Sequence, residues 1–191
     1  MIITVSGTSG SGKSTVSKIL QQKLSAERIY VGGIRREIAR KKGMTLIELN
    51  EYAKTHPETD VDVDKAAAEQ ARKMEKSGKT VIAEGYVMFH FLPESIKVFI
   101  KADFDICAER IWKDLQSEQA KKSRNEGEIE SLDKMKKRVR ERLKEDSDRY
   151  KKYYGVDHLN ESHYDFVVDS TKIPAEKVAE KILEFVKKFK K

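Results

Sequence analysis

Gly7, Gly12, Lys13 and Ser14 stand in the spacing Gly-x4-Gly-Lys-Ser within GTSGSGKST, residues 7–15. Such a stretch is suited to gripping a row of phosphates. Its glycines let successive backbone N–H groups turn inward as an anion nest, and the start of a helix adds partial positive charge. On this reading Gly7, Thr8, Ser9, Gly10, Ser11, Gly12, Lys13, Ser14 and Thr15 wrap the phosphates of ATP. Lys13 reaches the β- and γ-phosphates, and Ser14 ligates Mg²⁺. The stretch follows an apolar run read as a strand, IITVS (2–6), and opens a run read as a helix, KSTVSKILQQKL. That context separates it from a chance glycine-rich turn.

A second group lies in RVRERLKEDSDRYKKYYG, residues 138–155. Arg142, Asp146 and Arg149 are spaced four and three apart and share one helix face, with Arg138 a turn earlier. Phosphoryl transfer spreads charge over equatorial oxygens, and the protein's task is positioning and charge stabilisation. Two guanidinium groups aimed by a carboxylate fit that task. The plain alternative is a solvated helix laced with ion pairs.

An acceptor needs its own anchor. Arg35 and Arg36 follow Gly32-Gly33, and Asp60, Asp62 and Asp64 sit near the start of a helix, where the dipole favours carboxylates. Glu84-Gly85 ends the strand TVIA (80–83), at the strand end where open α/β sheets place ligands. Tyr86 follows and could stack on a base. A hydroxyl acceptor must lose a proton and usually needs a positioned base. A phosphate monoester, with a second pKa of about 6, is already mostly ionised and needs cations instead. Many arginines and no compelling base favour a nucleoside monophosphate. A hydroxyl acceptor, with Asp60, Asp62, Asp64 or Glu84 as base, is the alternative. A GTPase would carry DxxG and NKxD, and a transporter-type ATPase LSGGQ; none occurs in the chain. A non-catalytic nucleotide- or RNA-binding module is the reading from another class.

The elements that must position these groups are legible as alternation. IITVS (2–6), TVIA (80–83), IKVFI (96–100), YDFVV (164–168) and the weaker RIYV (28–31) read as buried strands separated by helices. This predicts a parallel sheet covered on both faces. In the last helix Val178, Ile182, Leu183, Phe185 and Val186 recur at helical spacing. Residues 32–77 read as helical, broken at Gly43, His56-Pro57 and Ser77-Gly78. Residues 105–154 read as two helices with a turn around Gly127. Both are too long for simple crossovers and read as lobes.

The chain has 191 residues, and its net charge is +7. Residues 121–152 hold thirteen Lys/Arg against eight Asp/Glu. That surplus fits a phosphorylated small molecule better than nucleic acid, since no aromatic-interleaved RNA-binding pattern accompanies it. The tail KKFKK adds four lysines that solvate the last helix. No apolar run is long enough to span a bilayer, and no signal-peptide pattern leads the chain. The single cysteine, Cys107, fits a reducing cytosol. Four histidines show no metal-ligand spacing and read as structural or surface residues. Cys107 and Trp112 read as core, and Tyr150, Tyr153 and Tyr154 as a patch docking their helix onto the core. A cytoplasmic monomer is expected.

These motifs together resemble the archaeal-type cytidylate kinases of the nucleoside monophosphate kinase group. The likeness runs nearly end to end, through SGTSGSGKST, GGIRREIARKKGMTLIELNEYA, VIAEG, SIKVFIKADFDICAERI, DSDRYKKYYGVD and YDFVVDST. The first is shared by many ATPases; the second and fifth are far more specific. The resemblance implies a P-loop NTPase fold with a five-stranded parallel sheet. It implies a core of residues 1–31, 78–112 and 154–191, a helical monophosphate-binding lobe (32–77) and a helical lid (113–153). It places Arg36 where the family holds the acceptor phosphate, and Arg142, Asp146 and Arg149 on the lid side, gripping transferring phosphates. Arg110 matches a position near the ATP base, with Ser170 and Thr171 on the loop beside it. The implied cofactors are ATP and Mg²⁺, and the implied acceptor is CMP or dCMP, with UMP and AMP as alternatives. The chain departs from the family at Tyr86, where the usual run is Glu-Gly-Arg, and near Ala66, where Arg or a polar residue is frequent. Those positions help hold the pyrimidine nucleotide, so the base is left open.

Overall fold

The computed structural model describes residues 1–189; Lys190 and Lys191 of the lysine tail lie outside the described residues. Five strands form one parallel sheet: β1 (Ile2–Gly7), β2 (Glu27–Tyr30), β3 (Val81–Glu84), β4 (Ile96–Lys101) and β5 (Phe166–Asp169). Their spatial order is β2-β3-β1-β4-β5, with every pairing parallel. All six residues of β1 are buried, as expected of a strand covered on both faces. Each expected strand is present, with ends shifted by one or two residues. The largest shift is at Tyr164, whose hydroxyl donates to the His158 carbonyl (2.7 Å) instead of extending β5.

Two apolar layers clasp the sheet. On one face α1 (Lys13–Leu24) and α9 (Ala175–Phe189) bury Val16, Leu20, Val178, Ile182 and Val186 against Ile3, Val5, Val98 and Ile100. On the other, α4 (Glu58–Lys76) lays Ala67, Ala68 and Ala71 against Val81 and Ala83, with Met88 and Leu92 closing the layer. Three alanines on one stripe let the helix approach the sheet closely.

Between β2 and β3 the chain forms α2 (Val31–Lys41), α3 (Leu46–Ala53) and α4. The breaks fall where Gly43, His56-Pro57 and Ser77-Gly78 predicted them. Thr45 starts α3 with a capping box: its hydroxyl accepts from the Glu48 N–H (3.2 Å), and the Glu48 carboxylate accepts from the Thr45 N–H (2.7 Å), satisfying two end donors at once.

Residues 105–154 form three helices, not the two expected: α6 (Phe104–Asp114), α7 (Glu118–Arg124) and α8 (Leu132–Tyr154). Ser117 caps the unexpected α7 by accepting from the Ala120 N–H (3.2 Å), and Asn125 ends it in a left-handed conformation (φ 52°). The apolar period that reveals a helix is missing there, because α7 buries no residue. A short α5 (Met88–Phe91) was also unexpected; Met88 and Phe89 sink into the core there. α8 packs Met135 and Val139 on Ala108 and Ile111 of α6 and on Leu115 just past its end.

Candidate active site

β1 lies at the centre of the sheet; the chain runs from it to β2 and β3 on one side, then crosses past it to β4 and β5 on the other. That reversal opens a crevice at the carboxyl ends of the strands. The structure has a cleft of about 860 Å³ there, walled by the 9–16 turn, α2, the 124 region, α8 and the 170–178 segment.

The phosphate-type loop is packed too tightly for side chains at two of its glycines. A Cβ on Gly7 (φ 146°) would overlap the Ile100 carbonyl, and one on Gly10 (φ 86°) would meet the Cys107 carbonyl at 2.5 Å. Gly12 precedes α1 with no side-chain cap, so the first-turn N–H groups face the cleft unclaimed by side chains. Ser9 to Thr15 line the cleft, whereas Gly7 and Thr8 lie behind it. Their carbonyls accept from Lys13 Nζ at 2.9 and 2.6 Å. The Lys13 ammonium also sits 4.9 Å from the centre of the Tyr86 ring. Burial pushes its pKa down to about 8, opposed by the Glu84 carboxylate.

Glu84 was read as an acceptor-side residue. The structure places it on the cleft wall against the phosphate loop, because parallel register sets it beside Val5 of β1. Its Oε1 accepts from Ser14 Oγ (2.5 Å), and its Oε2 takes a two-pronged contact from Arg28, with Nε at 3.0 Å. A hydroxyl and a carboxylate meeting beside a phosphate loop form the oxygen-donor set that suits Mg²⁺. Among the described residues no cluster of three or more His, Cys, Asp or Glu could hold a metal ion. Mg²⁺, however, is usually bound through one or two carboxylates together with substrate phosphates. The residues therefore fit Mg²⁺.

The α8 face is the centre of an alternating charge ladder. Arg35 pairs with Asp60; Asp60 Oδ2 accepts from Arg149 Nε (2.7 Å); Arg149 Nη2 donates to Asp146 (2.6 Å). Arg142 Nε lies 3.7 Å from Asp146, its Nη1 donates to Glu126 (2.8 Å), and Glu126 lies 3.9 Å from Arg36. Four guanidinium groups alternate with three carboxylates, leaving one excess positive charge along the wall. Burial raises the Asp146 pKa, but Arg149 and Arg142 together outweigh it, and the net shift is downward. Burial opposes charge on Arg142 too, yet Glu126, Tyr86 and Asp146 hold its pKa above the ordinary value. Arg142 Nε and Arg149 Nη1 are buried donors without a hydrogen-bond partner in the protein.

The structure sorts the remaining candidates. Gly32, Arg35, Arg36, Asp64, Gly85 and Tyr86 line the cleft, as do Arg110 and Ser170 at its far end. Arg36 Nη1 donates to the Tyr30 hydroxyl (2.7 Å) and the Gly32 carbonyl (3.0 Å). Asp64 accepts from the Tyr154 hydroxyl (2.8 Å), and burial raises its pKa to about 6. Asp60 is off the cleft wall, fully engaged by Arg35 and Arg149, and Asp62 is exposed. Arg110 Nη2 donates to the Ser170 and Thr171 carbonyls (2.8 and 3.2 Å). Thr171 itself turns to a shallower depression beside Asp103, whose N–H its hydroxyl accepts at 2.8 Å. Arg138 pairs with Glu141 and Glu145, outside the cleft wall.

Several residues escaped the sequence reading. Asn50 accepts from Arg35 Nη2 (3.0 Å), and Arg28, Tyr30 and Asn50 line the cleft. Arg28 and Tyr30 carry the alternation of a strand, which was the available signal. His158 is wholly buried, its ring edge-on to Tyr86 and Tyr150, with both nitrogens unbonded. Burial pushes its pKa down to about 4. The tyrosine patch docks α8 as expected, but onto α3 and α4. Tyr153 donates to the Ala53 carbonyl (2.6 Å), and Tyr154 to Asp64.

Residues 3–133 match the family model described as an AAA domain. The chain is 36% identical to a cytidylate kinase of Archaeoglobus fulgidus over 97% of its length and 94% of that protein. It is 32% identical, over 97% of its length, to 36% of an S-adenosylmethionine-dependent nucleotide dehydratase of Lacinutrix mariniflava. A shikimate kinase structure from Bacteroides thetaiotaomicron superposes with a TM-score of 0.60, covering 98% of each chain at 14% identity. That last likeness speaks to the fold alone.

Proposed function

We propose that this chain, which belongs to the archaeal-type cytidylate kinase family, moves the γ-phosphate of ATP to CMP or dCMP, giving ADP and CDP or dCDP. The phosphotransferase class follows from the family; the acceptor is the part proposed. One observation carries it. The cleft joins a phosphate loop at one wall to the Arg36–Arg142–Arg149 array at the other, with Asp60, Glu84, Glu126 and Asp146 tied to guanidinium groups. That arrangement suits an acceptor that arrives already ionised.

Each residue then has a task. Backbone N–H groups of residues 9–15 and Lys13 cradle the donor phosphates. Arg110 and the 170–174 segment flank the donor base. Arg36 holds the acceptor phosphate, and Arg142 and Arg149 face the oxygens where charge spreads, directed by Asp146. Ser14 and Glu84 would hold Mg²⁺, which when bound neutralises charge on the donor phosphates. Tyr86 offers the acceptor base a ring face, and a site relying on stacking discriminates less sharply than one matching hydrogen-bond donors.

A second reading has one observation in its favour. Asp64 lines the cleft with a pKa raised to about 6, the range of a general base for a hydroxyl acceptor. Coupled ADP release against CMP, dCMP, UMP, AMP, cytidine and simple sugars separates the two. We expect turnover with monophosphates and none with cytidine. Turnover with cytidine or a sugar alone overturns the proposal. Lys13→Ala should cut turnover on the order of 10²–10³-fold, as when one transition-state donor is lost. Arg36→Ala should act chiefly on the acceptor KM.

A further inference from the structure

Glu126 is a carboxylate in an unexpected place. It lies in the irregular stretch between α7 and α8, yet only 4% of its surface is exposed. A single oxygen, Oε1, faces both Arg142 Nη1 at 2.8 Å and Arg36 Nη2 at 3.9 Å. The two residues just before it are fastened to the opposite wall. The Arg124 carbonyl accepts from Arg36 Nε (3.0 Å), the Asn125 carbonyl from the Leu46 N–H (2.8 Å), and Asn125 Nδ2 donates to the Met44 carbonyl (3.0 Å).

We propose that Glu126 is a built-in competitor for the acceptor's phosphate: its carboxylate stands between Arg36 and Arg142 where a phosphate oxygen of the substrate must go, and binding exchanges one anion for the other. The proposal rests on the reading of Arg36 and Arg142 as phosphate holders. Two arguments favour exchange over coexistence. Arg142 commits its Nη1 donor to Glu126, so a phosphate bridging Arg36 and Arg142 competes with the carboxylate for it. A dianion brought beside a buried carboxylate also meets like-charge repulsion in a medium that screens poorly. The carboxylate has a reason to be there when substrate is absent. Without it, Arg36 would lose its carboxylate neighbour and Arg142 would keep only Asp146 at 3.7 Å, which is costly for two guanidinium groups this poorly hydrated. The consequence is a weaker apparent affinity, because substrate binds only the fraction of molecules whose clamp is free. Glu126 therefore sets acceptor affinity without touching the transferred group. It also keeps the two arginines neutralised when only ATP is bound.

The test uses the full chain and two variants, Glu126→Gln and Glu126→Ala. Glutamine keeps the size and an acceptor oxygen but removes the charge. Inorganic pyrophosphate and CMP are titrated into the nucleotide-free protein by calorimetry, and acceptor KM and kcat are measured with saturating MgATP. We expect both variants to bind pyrophosphate and CMP about 5- to 10-fold more tightly, with a matching fall in KM and a smaller change in kcat, an effect of the size typical of coupled sites. Unchanged or weaker binding in Glu126→Gln overturns the proposal, and so does a fall in kcat at constant KM, the mark of a purely positioning role. Should either variant fold poorly, a crystal of the unaltered chain with CMP decides. A phosphate oxygen beside Arg142 with Glu126 displaced supports the exchange; Glu126 still within 4 Å of Arg142 refutes it. Pyrophosphate carries no base, so an error in the choice of acceptor leaves this test intact. If CMP is not a substrate but pyrophosphate binds the variants more tightly, the acceptor assignment fails and the competitor stands.

Discussion

Ser14, Glu84 and Arg28 form a chain of three in which each contact constrains the next. Glu84 is 2% exposed, and a carboxylate that deep is tolerated only when its oxygens are engaged. Oε1 takes the Ser14 hydroxyl and Oε2 the Arg28 fork. The same charge supports Lys13, whose pKa would fall below about 8 without it. Two consequences follow for Glu84→Gln. Losing a carboxylate that aims a metal-side hydroxyl costs about 10–100-fold in metal affinity, so the Mg²⁺ concentration for half-maximal rate should rise by that factor. Its kcat/KM for ATP should also fall at lower pH. That ratio reports groups of the free enzyme, and Lys13 must be an ammonium to attract phosphate. The unaltered chain should lose activity as pH rises past about 8, and the variant earlier. Identical alkaline limbs would show that Lys13 does not feel Glu84. The sequence made Lys13 and Ser14 plain, because their spacing is local. It did not reveal the contact of Glu84 with Ser14, because strand register, not spacing, brings residue 84 beside residue 14.

The helix α8 shows how far local periodicity reaches. Arg142, Asp146 and Arg149 were legible as one face because spacings of four and three are the helix's own geometry. Their partners were not. Asp60 comes from α4 and Glu126 from an irregular stretch, and only the folded chain sets them against that face. Packing also divides the helix. Its C-terminal part is fixed by Tyr153 to the Ala53 carbonyl, by Tyr154 to Asp64 and by Lys152 Nζ to the Lys54 carbonyl (3.0 Å). The apolar packing of its N-terminal part is mainly on α6, and α7 buries nothing. Segments with few buried contacts open most readily, and phosphoryl transfer must exclude water. We expect residues 113–145 to close over bound nucleotides while 146–154 stay in place. Amide exchange with a bisubstrate analogue should slow in the first segment and stay constant in the second. Equal slowing in both would mean that α8 moves as one body, and no slowing in 113–145 would dispose of closure there. Tyr153→Phe, which removes one hydrogen bond at the fixed end, should cost about 1 kcal/mol of stability.

At the scale of the molecule, two buried groups make opposite demands on protons. Asp64, facing Tyr154, Arg35 and Arg149, has its pKa raised by burial from 3.8 to about 6. Between those values the folded chain keeps a proton that the unfolded chain releases, so stability falls as pH rises through the window. His158, facing Asp146, Asp157, Lys13 and Arg149, has its pKa lowered by burial from 6.5 to about 4. Here the unfolded chain binds the proton and the folded chain does not, so stability rises with pH through nearly the same window. Each displacement is a little over two pH units, on the order of 3 kcal/mol at 1.36 per unit. The two slopes should nearly cancel in the unaltered chain, leaving stability almost flat from about pH 4 to 6. Single substitutions expose the hidden slopes. His158→Phe, which keeps an aromatic ring against Tyr86 and Tyr150, leaves Asp64 unopposed, and its urea midpoint should fall as pH rises from 4 to 6. Asp64→Asn, whose amide oxygen can still accept from Tyr154, leaves His158 unopposed, and its midpoint should rise over the same range. The depressed carboxylates, Asp146 below the window and glutamates such as Glu94 at its acid edge, are common to all three proteins, so they should tilt all three curves alike at the acid end. Midpoint curves that run parallel for both variants and the unaltered chain would mean that neither group titrates on folding; diverging curves would place a proton-balanced pair on the two sides of α8, one where it meets α4 and one where it meets the 155–160 turn.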